Sequence, residues 1–368
     1  MLLSAVRCFA QEVAQVAGRA PDVVGAQEPP LAAIRHNGRV TRLRTPLSIL
    51  DLAIVERGTT TAEALAGCVD VARAAEALGY RRVWYAEHHN MASIASSAPA
   101  VLIAHVAAHT STIKLGAGGV MLPNHSPLTI AEQYGTLATL HPGRIELGLG
   151  RAPGSDQVTM RAMRRDHTSS DTFPDDVLEV IGYLAGESRV AGVTCVPGAG
   201  TEVPVWILGS SLFGARLAAH FGLPYAFASH FAPDALVDAV GVYRAQFRPS
   251  VHLDRPHVMA AVNVICSDTD DDARRQLQVS ARWRVQRFLN LPADWDDDQL
   301  DRAIASPQGQ QIVRMMTYRA VGTPSAVHDY LDAFAEHAGA DEVIVALSSP
   351  TESERLRSLE LVMSAVTV

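Results

Sequence analysis

The chain has 368 residues, 48% of them hydrophobic and 19% charged, which is enough apolar material for a large core in one big domain or two smaller ones. A formal net charge of -8, with no dense stripe of Lys or Arg, argues against broad attraction to nucleic acid or to an anionic membrane. No apolar run reaches the roughly 18 residues of a membrane span. The four cysteines, Cys8, Cys68, Cys195 and Cys266, have neither metal-ligand spacing nor a disulfide framework, and the start MLLSAVRCFA lacks a leader pattern, so a cytoplasmic protein is expected.

Residues 1–45 mix Ala, Val, Pro and Arg without a clear period, and Pro21, Pro29 and Pro30 punctuate them. They read as an N-terminal extension, poorly structured or partly helical over 3–17, ahead of one domain at 46–368. From Pro46 short β-rich runs alternate with amphipathic stretches. A strand at 47–53 precedes a helix at 61–78, whose Ala64, Leu65, Cys68, Val71, Ala72 and Ala75 share a face and which Gly79 closes. Strands at 82–86, 113–120 and 144–150 alternate with helices at 99–109 and 128–140. The later strands are 204–208, 224–228, 257–266 and 342–346, and the later helices 173–185, 212–221, 233–247 and 352–362. A long helical region begins at Asp270 and is interrupted by the polar DWDDDQLD at 294–301. Eight strands, each followed by a helix, over more than about 250 residues predict a (β/α)8 TIM barrel with insertions. A doubly wound sheet is the alternative that strand count and length disfavour.

In such a barrel the strand exits share one rim, where α/β barrels do chemistry. The exits here are Glu87-His88-His89, Gly118-Gly119, Gly150-Arg151, Gly209-Ser210-Ser211 and Ser229-His230. WYAEHHN at 84–90 admits three readings: a metal site, a base with its orienting partner, or hydrogen-bonded polar residues. Adjacent residues on an extended segment point apart, so His88 and His89 do not face one ion, no distant ligand set is evident, and no metal is expected. A Ser-His-Asp hydrolase lacks its Gly-x-Ser-x-Gly elbow. One histidine that moves a proton is the economical reading, with His88 favoured over a merely satisfied imidazole by a small margin.

GLGRAPGSDQ at 148–157 combines close backbone approach with a cation and suits a phosphate beside a flat ring. In GSSLFGA at 209–215 the serines are natural N-cap residues, and they would equally present hydroxyls and helix amides to an anion; a rim phosphate site is favoured over simple capping. Neither segment is a P-loop.

With these residues in place the chain resembles the bacterial luciferase-like family of flavin-dependent monooxygenases, from Pro46 to the C-terminus. The carriers are WYAEHHN, LGAGGVMLPNHSPL at 115–128, AEQYGTL at 131–137, HPGRIELGLGRAPGSD at 141–156, VPVWILGSS at 203–211, HFGLPYAFASHFAP at 220–233 and VGTP at 321–324, in the family's order. The resemblance implies reduced FMN at the C-terminal rim, a non-prolyl cis peptide at Gly118-Gly119 beneath the flavin, and phosphate contacts from Arg151, next to Gly150, and from Ser210 and Ser211. It places Glu87 beside the flavin, matches His88 to the catalytic base, and leaves His89 structural. Luciferases carry a reactive cysteine where this chain has Gly150, and an acid before the serine where it has Gly209. The likeness is therefore to the non-luminescent, alkanal-monooxygenase-like members.

The activity implied is oxygenation of a small organic substrate, an aldehyde or an aromatic or apolar compound, with reduced FMN and O2. Met91, Ile94, Met121 and Leu122 are candidate cavity residues, and 161–172 and 286–318 are candidate specificity loops. No Gly-x-Gly-x-x-Gly follows a strand, so a separate flavin reductase is expected. Two rival readings are a deazaflavin-dependent hydride-transfer enzyme and a non-catalytic flavin-binding protein. The resemblance also implies a homodimer, through helices rich in small residues such as Ala104, Ala107, Ala131 and Gly135.

Overall fold

The structure is a computed structural model that describes residues 43–152 and 156–364. The expected extension lies almost wholly outside the described residues. Nine parallel strands form the sheet: β1 Leu47–Asp51, β2 Arg82–Tyr85, β3 Lys114–Met121, β4 Ile145–Gly150, β5 Val205–Gly209, β6 Tyr225–Phe227, β7 Val258–Cys266, β8 Arg319–Gly322 and β9 Glu342–Leu347. β1 to β7 are neighbours in sequence order, and β9 pairs with both β7 and β1, so eight strands close as a (β/α)8 barrel. The eight expected strands are these eight. β8 was not anticipated: it lies outside the closed ring, alongside the end of β7 from Asn263 to Cys266.

Local sequence explains the helices around the barrel. In α1 (Thr61–Leu78) the Thr60 side chain and Glu63 form a capping box, and Gly79 ends the helix at φ 84°, a left-handed conformation that costs glycine little. The others are α2 (Pro99–Ala107), α3 (Pro127–Leu140), α4 (Gln157–Ala162), α5 (Phe173–Ala185), α6 (Leu212–Phe221), α7 (Leu236–Gln246), α8 (Asp270–Phe288), α9 (Asp297–Ala305), α10 (Pro307–Arg314), α11 (Pro324–Ala338) and α12 (Glu352–Ser364). The helical region is interrupted, between Phe288 and Asp297, and the second half of the acidic run then starts the next helix. Asp296 caps α9 in a box with Gln299, and Asp297 and Asp298 occupy the first turn, where carboxylates favour the positive end of the helix dipole.

Two apolar layers result. The larger lies between strands and helices, and the smaller fills the barrel with Leu50, Trp84, Trp206, Met259 and Ile344 among others. Below it, buried Arg82 donates to Glu146 at 2.5 Å and to Glu342 at 3.0 Å, and its guanidinium lies 4.9 Å from the Trp206 ring. Lys114 also donates to Glu146, and Ser48 to Glu342, so the carboxylates at the barrel floor are multiply paired.

The Trp84 indole fits because its neighbours lack side chains. A Cβ on Gly116 would stand 2.7 Å from Trp84 Nε1, and one on Gly118 would stand 3.0 Å from its ring. A Cβ on Gly148 would meet the Ala117 carbonyl at 2.4 Å, a backbone atom that cannot step aside. At Gly150 the nearest atom would be the sulfur of Met121 at 3.3 Å, the mobile part of a flexible chain. Gly148→Ala is therefore expected to cost about 1–3 kcal/mol and Gly150→Ala much less, as read from urea unfolding midpoints; equal costs would refute the packing argument.

Candidate active site

The chain leaves β2 under tight backbone control. Ala86 N–H donates to Asp51 O at 3.2 Å, His88 N–H to Ser96 O at 3.1 Å, and Ser96 Oγ to Ala86 O at 2.7 Å. Asn90 turns the chain at φ 55°, and its amide donates to Asp156 at 3.3 Å, which ties this exit to the segment that opens α4.

Glu87 is fully buried and fully engaged. Its Oε1 accepts from His89 Nε2 and His125 Nε2, both at 2.8 Å, and its Oε2 accepts from Met121 N–H at 3.1 Å. Burial pushes the carboxyl pKa up, but the bonds from His125, His89 and Met121 outweigh it and the net shift is downward. An ionised carboxylate only accepts, so both imidazoles present Nε2–H to it. Tyr134, on α3, lies close enough for Glu87 to add to the burial that holds its phenol protonated.

His89 thus turns to the same side as Glu87, as the period of an extended chain requires, while His88 faces the other way. The third member of the Glu87 cluster, His125, was missed because it comes from beyond β3. Together Glu87, His89 and His125 place three possible metal-ligand atoms within 4.8 Å of one another, a convergence the expectation of no ligand set did not foresee. Each histidine already bonds Glu87, so a cation would have to displace that network.

His88 Nδ1 is sealed from solvent and has no hydrogen-bond partner, and so is Nδ1 of His230, beyond the exit of β6. Burial lowers the His88 pKa to about 4, against an opposing pull from the Glu87 charge. Burial, Arg284 and His88 together lower that of His230 to about 3. Both rings are therefore neutral near pH 7.

The expected phosphate residues meet at the exits of β4 and β5. The Arg151 guanidinium stacks over the Phe213 ring at 4.2 Å, which brings the end of β4 onto the first turn of α6. Ser211 is the N-cap residue of α6, yet its side chain makes no capping bond, so its hydroxyl remains available together with the first amides of the helix. Gly150 pairs with Met121, whose N–H holds Glu87, so the β2, β3 and β4 exits are linked. The Gly118–Gly119 peptide is cis. Pro153, Gly154 and Ser155 of the glycine-rich loop lie outside the described residues. Among the suggested cavity residues, Leu122 is fully buried in the layer between barrel and helices, and Ile94 bridges Ile54.

The family model for luciferase-like monooxygenases matches residues 46–342. The chain belongs to that family. It is 46% identical over 322 residues to a luciferase-like monooxygenase of Escherichia coli (strain K12), covering 86% of this chain and 95% of the relative. It is 38% identical over 187 residues to N-acetyl-S-alkylcysteine monooxygenase of Bacillus subtilis (strain 168), 50% of this chain and 56% of that one. The crystal structure of apo-MsnO8 matches at a TM-score of 0.80 with 34% identity, covering 88% of this chain and 98% of the other. Structures at 17% identity share the fold alone; they include a 3,6-diketocamphane monooxygenase constituent in complex with FMN and an F420-dependent secondary alcohol dehydrogenase.

The neutral histidines of this luciferase-like barrel set its acid sensitivity. A histidine whose folded pKa lies below 6.5 contributes its full stability above 6.5, and loses it as the unfolded chain, but not the folded one, takes up protons. Glu87 and Glu342, shifted downward from 4.5, do not weaken in that window. The urea midpoint should fall between about pH 7 and about pH 5, and His230→Gln should shrink that fall. A fall of the same size in the variant would rule out this origin.

Proposed function

We propose that the chain is a flavin-dependent monooxygenase that uses reduced FMN and O2 to oxygenate a small organic substrate. The observation that carries this reading is the pairing of Arg151 over Phe213 with the uncapped Ser211 at the start of α6. Arg151 has no carboxylate partner among the described residues, so a phosphate would find an arginine, the Ser210 and Ser211 hydroxyls and free helix amides together. The monooxygenase names of the family and of the relatives support oxygenation over hydride transfer.

Reduced FMN, when bound, would supply the electrons that activate O2. Glu87, held by His89, His125 and Met121, would fix the floor of the rim beside the ring, with Gly118 and Gly119 as the bare backbone beneath it. His88 has a neutral imidazole with Nδ1 open to a partner, so it would take a proton in transit and pass it on. Near a pKa of about 4 it does not store one at neutral pH. The apolar barrel interior below keeps bulk water from the reacting atoms.

The same reading includes a reductase that supplies the flavin, a cytoplasmic setting in line with free, buried Cys68, Cys195 and Cys266, and a homodimer. Gly135 and Ala131 do not serve the dimer: a Cβ on Gly135 would stand 2.2 Å from Gly198 of its own chain, and Ala131 is fully buried. The faces left for a second copy carry Val101, 72% exposed, on α2 and Leu140, 65% exposed, on α3.

Arg151→Ala is expected to weaken reduced FMN by about 10–100-fold while leaving reduced riboflavin unchanged, as measured by anaerobic equilibrium dialysis. Equal losses for both flavins would reject the phosphate site. His88→Asn is expected to lower kcat for flavin-dependent O2 consumption, over a panel of aldehydes and aromatic compounds, by about 10²–10⁴-fold at unchanged flavin affinity. Turnover with a reduced deazaflavin under nitrogen, and none with reduced FMN in air, would replace oxygenation by hydride transfer.

A further inference from the structure

Three side chains at the exits of β2 and β3 converge on one point. Glu87 and His89 follow β2, and His125 follows the turn Leu122–Asn124 that ends β3. Nε2 of each ring lies 2.8 Å from the same oxygen, Oε1 of Glu87, and the three atoms lie within 4.8 Å of one another. The other oxygen, Oε2, takes the N–H of Met121 at 3.1 Å.

Glu87 stands apart from the other enclosed acids. Glu146 and Glu342, which are buried to a similar degree, both pair with Arg82, and Lys114 adds to Glu146. Among the described residues Glu87 has no Arg or Lys partner; its ion-pair contacts are the two imidazoles, which carry charge only when protonated. A buried charge is ordinarily paired or bound to a metal, so this carboxylate lacks the full opposite charge that its counterparts at the floor possess.

The donor set selects the ion. Two imidazole nitrogens and one carboxylate oxygen suit zinc, whereas Mg2+ and Ca2+ take oxygen ligands. Bonds of about 2.0–2.2 Å in a tetrahedron set ligand atoms about 3.3–3.6 Å apart, so each imidazole would draw back from Oε1 by about 0.5–0.8 Å. The rings have room to do so: the His89 and His125 side chains are 20% and 30% exposed, which also opens them to an ion from solvent. The proton that each Nε2 now presents would pass to Nδ1, which in both rings has no protein partner among the described residues.

We propose that Glu87, His89 and His125 form a site for one Zn2+ ion, with water as the fourth ligand and the Met121 N–H holding the second carboxylate oxygen. The ion would replace two hydrogen bonds as the clasp between the β2 exit and the segment after β3. Its binding does not depend on which cofactor the barrel takes.

The test is titration of the full-length, FMN-free protein, after treatment with a chelator, by calorimetry with Zn2+ and by visible absorption with Co2+. The protein is expected to take up one equivalent of Zn2+, to give the intense bands of four-coordinate Co2+, and to gain Tm with Zn2+ but not with Mg2+. His89→Gln and His125→Gln keep an N–H for Glu87 but lose the ring nitrogen. Each should weaken Zn2+ by at least the roughly 10–100-fold that loss of an outer-shell partner costs. His252→Gln, which removes an exposed histidine ahead of β7, should leave the affinity unchanged. No one-equivalent site in the unaltered chain, a six-coordinate Co2+ spectrum alone, or unweakened Zn2+ binding in both glutamine variants at positions 89 and 125 would overturn the site. Stoichiometry and the Co2+ spectrum are read on the unaltered chain, so they decide even where a variant does not fold. FMN takes part in none of these readings, so a failed metal site and a failed oxygenase reading are told apart.

Discussion

The barrel is organised around one indole. Trp84 donates from Nε1 to Glu146 at 3.3 Å, meets Trp206 edge to face at 5.3 Å, and occupies space that Gly116 and Gly118 leave open. Interiors packed this closely have few alternative arrangements, so the ring fixes the height of β2 inside the barrel. Three residues on, the same strand delivers Glu87. Its position at the rim is inherited from packing below and completed by hydrogen bonds from β3 and the segment after it. Bulk at Gly116 would therefore act on the site without touching it.

Charge is distributed unequally along the barrel axis. At the floor, Arg82, Lys114, Glu146 and Glu342 satisfy one another, and a cation–π contact with Trp206 adds to them. At the mouth, Nδ1 of His88 and Nδ1 of His230 are buried without a hydrogen-bond partner. Proteins tolerate such local violations where function needs them, and the saturated floor supplies the rigidity that lets the mouth remain unsatisfied.

Much of this was legible in the sequence because parallel, doubly buried strands write themselves as short apolar runs at regular spacing. The eight barrel strands and the cap at Gly79 follow from runs of neighbouring residues, whereas the cis Gly118–Gly119 peptide was expected only from the family resemblance. What stayed hidden depends on tertiary approach. His125 stands 38 residues from its partner Glu87. β8 is only four residues long, and the start of α9 was disguised by capping aspartates that read as a break.

The segment between β7 and β8 has a topology of its own. It departs β7 after Cys266 and returns as β8 beside Asn263, three residues back on the same strand, with Ser267 N–H bonded to Gly322 O at 3.0 Å. Entry and exit are thus about one strand spacing and ~10 Å of rise apart. Because β8 lies outside the closed ring, the excursion with α8, α9 and α10 is anchored to the barrel without being one of its staves. Such an appendage can lengthen or shorten while the ring and its strand exits keep their register. Variation in that excursion is thereby decoupled from the frame that positions Glu87, His88 and Arg151.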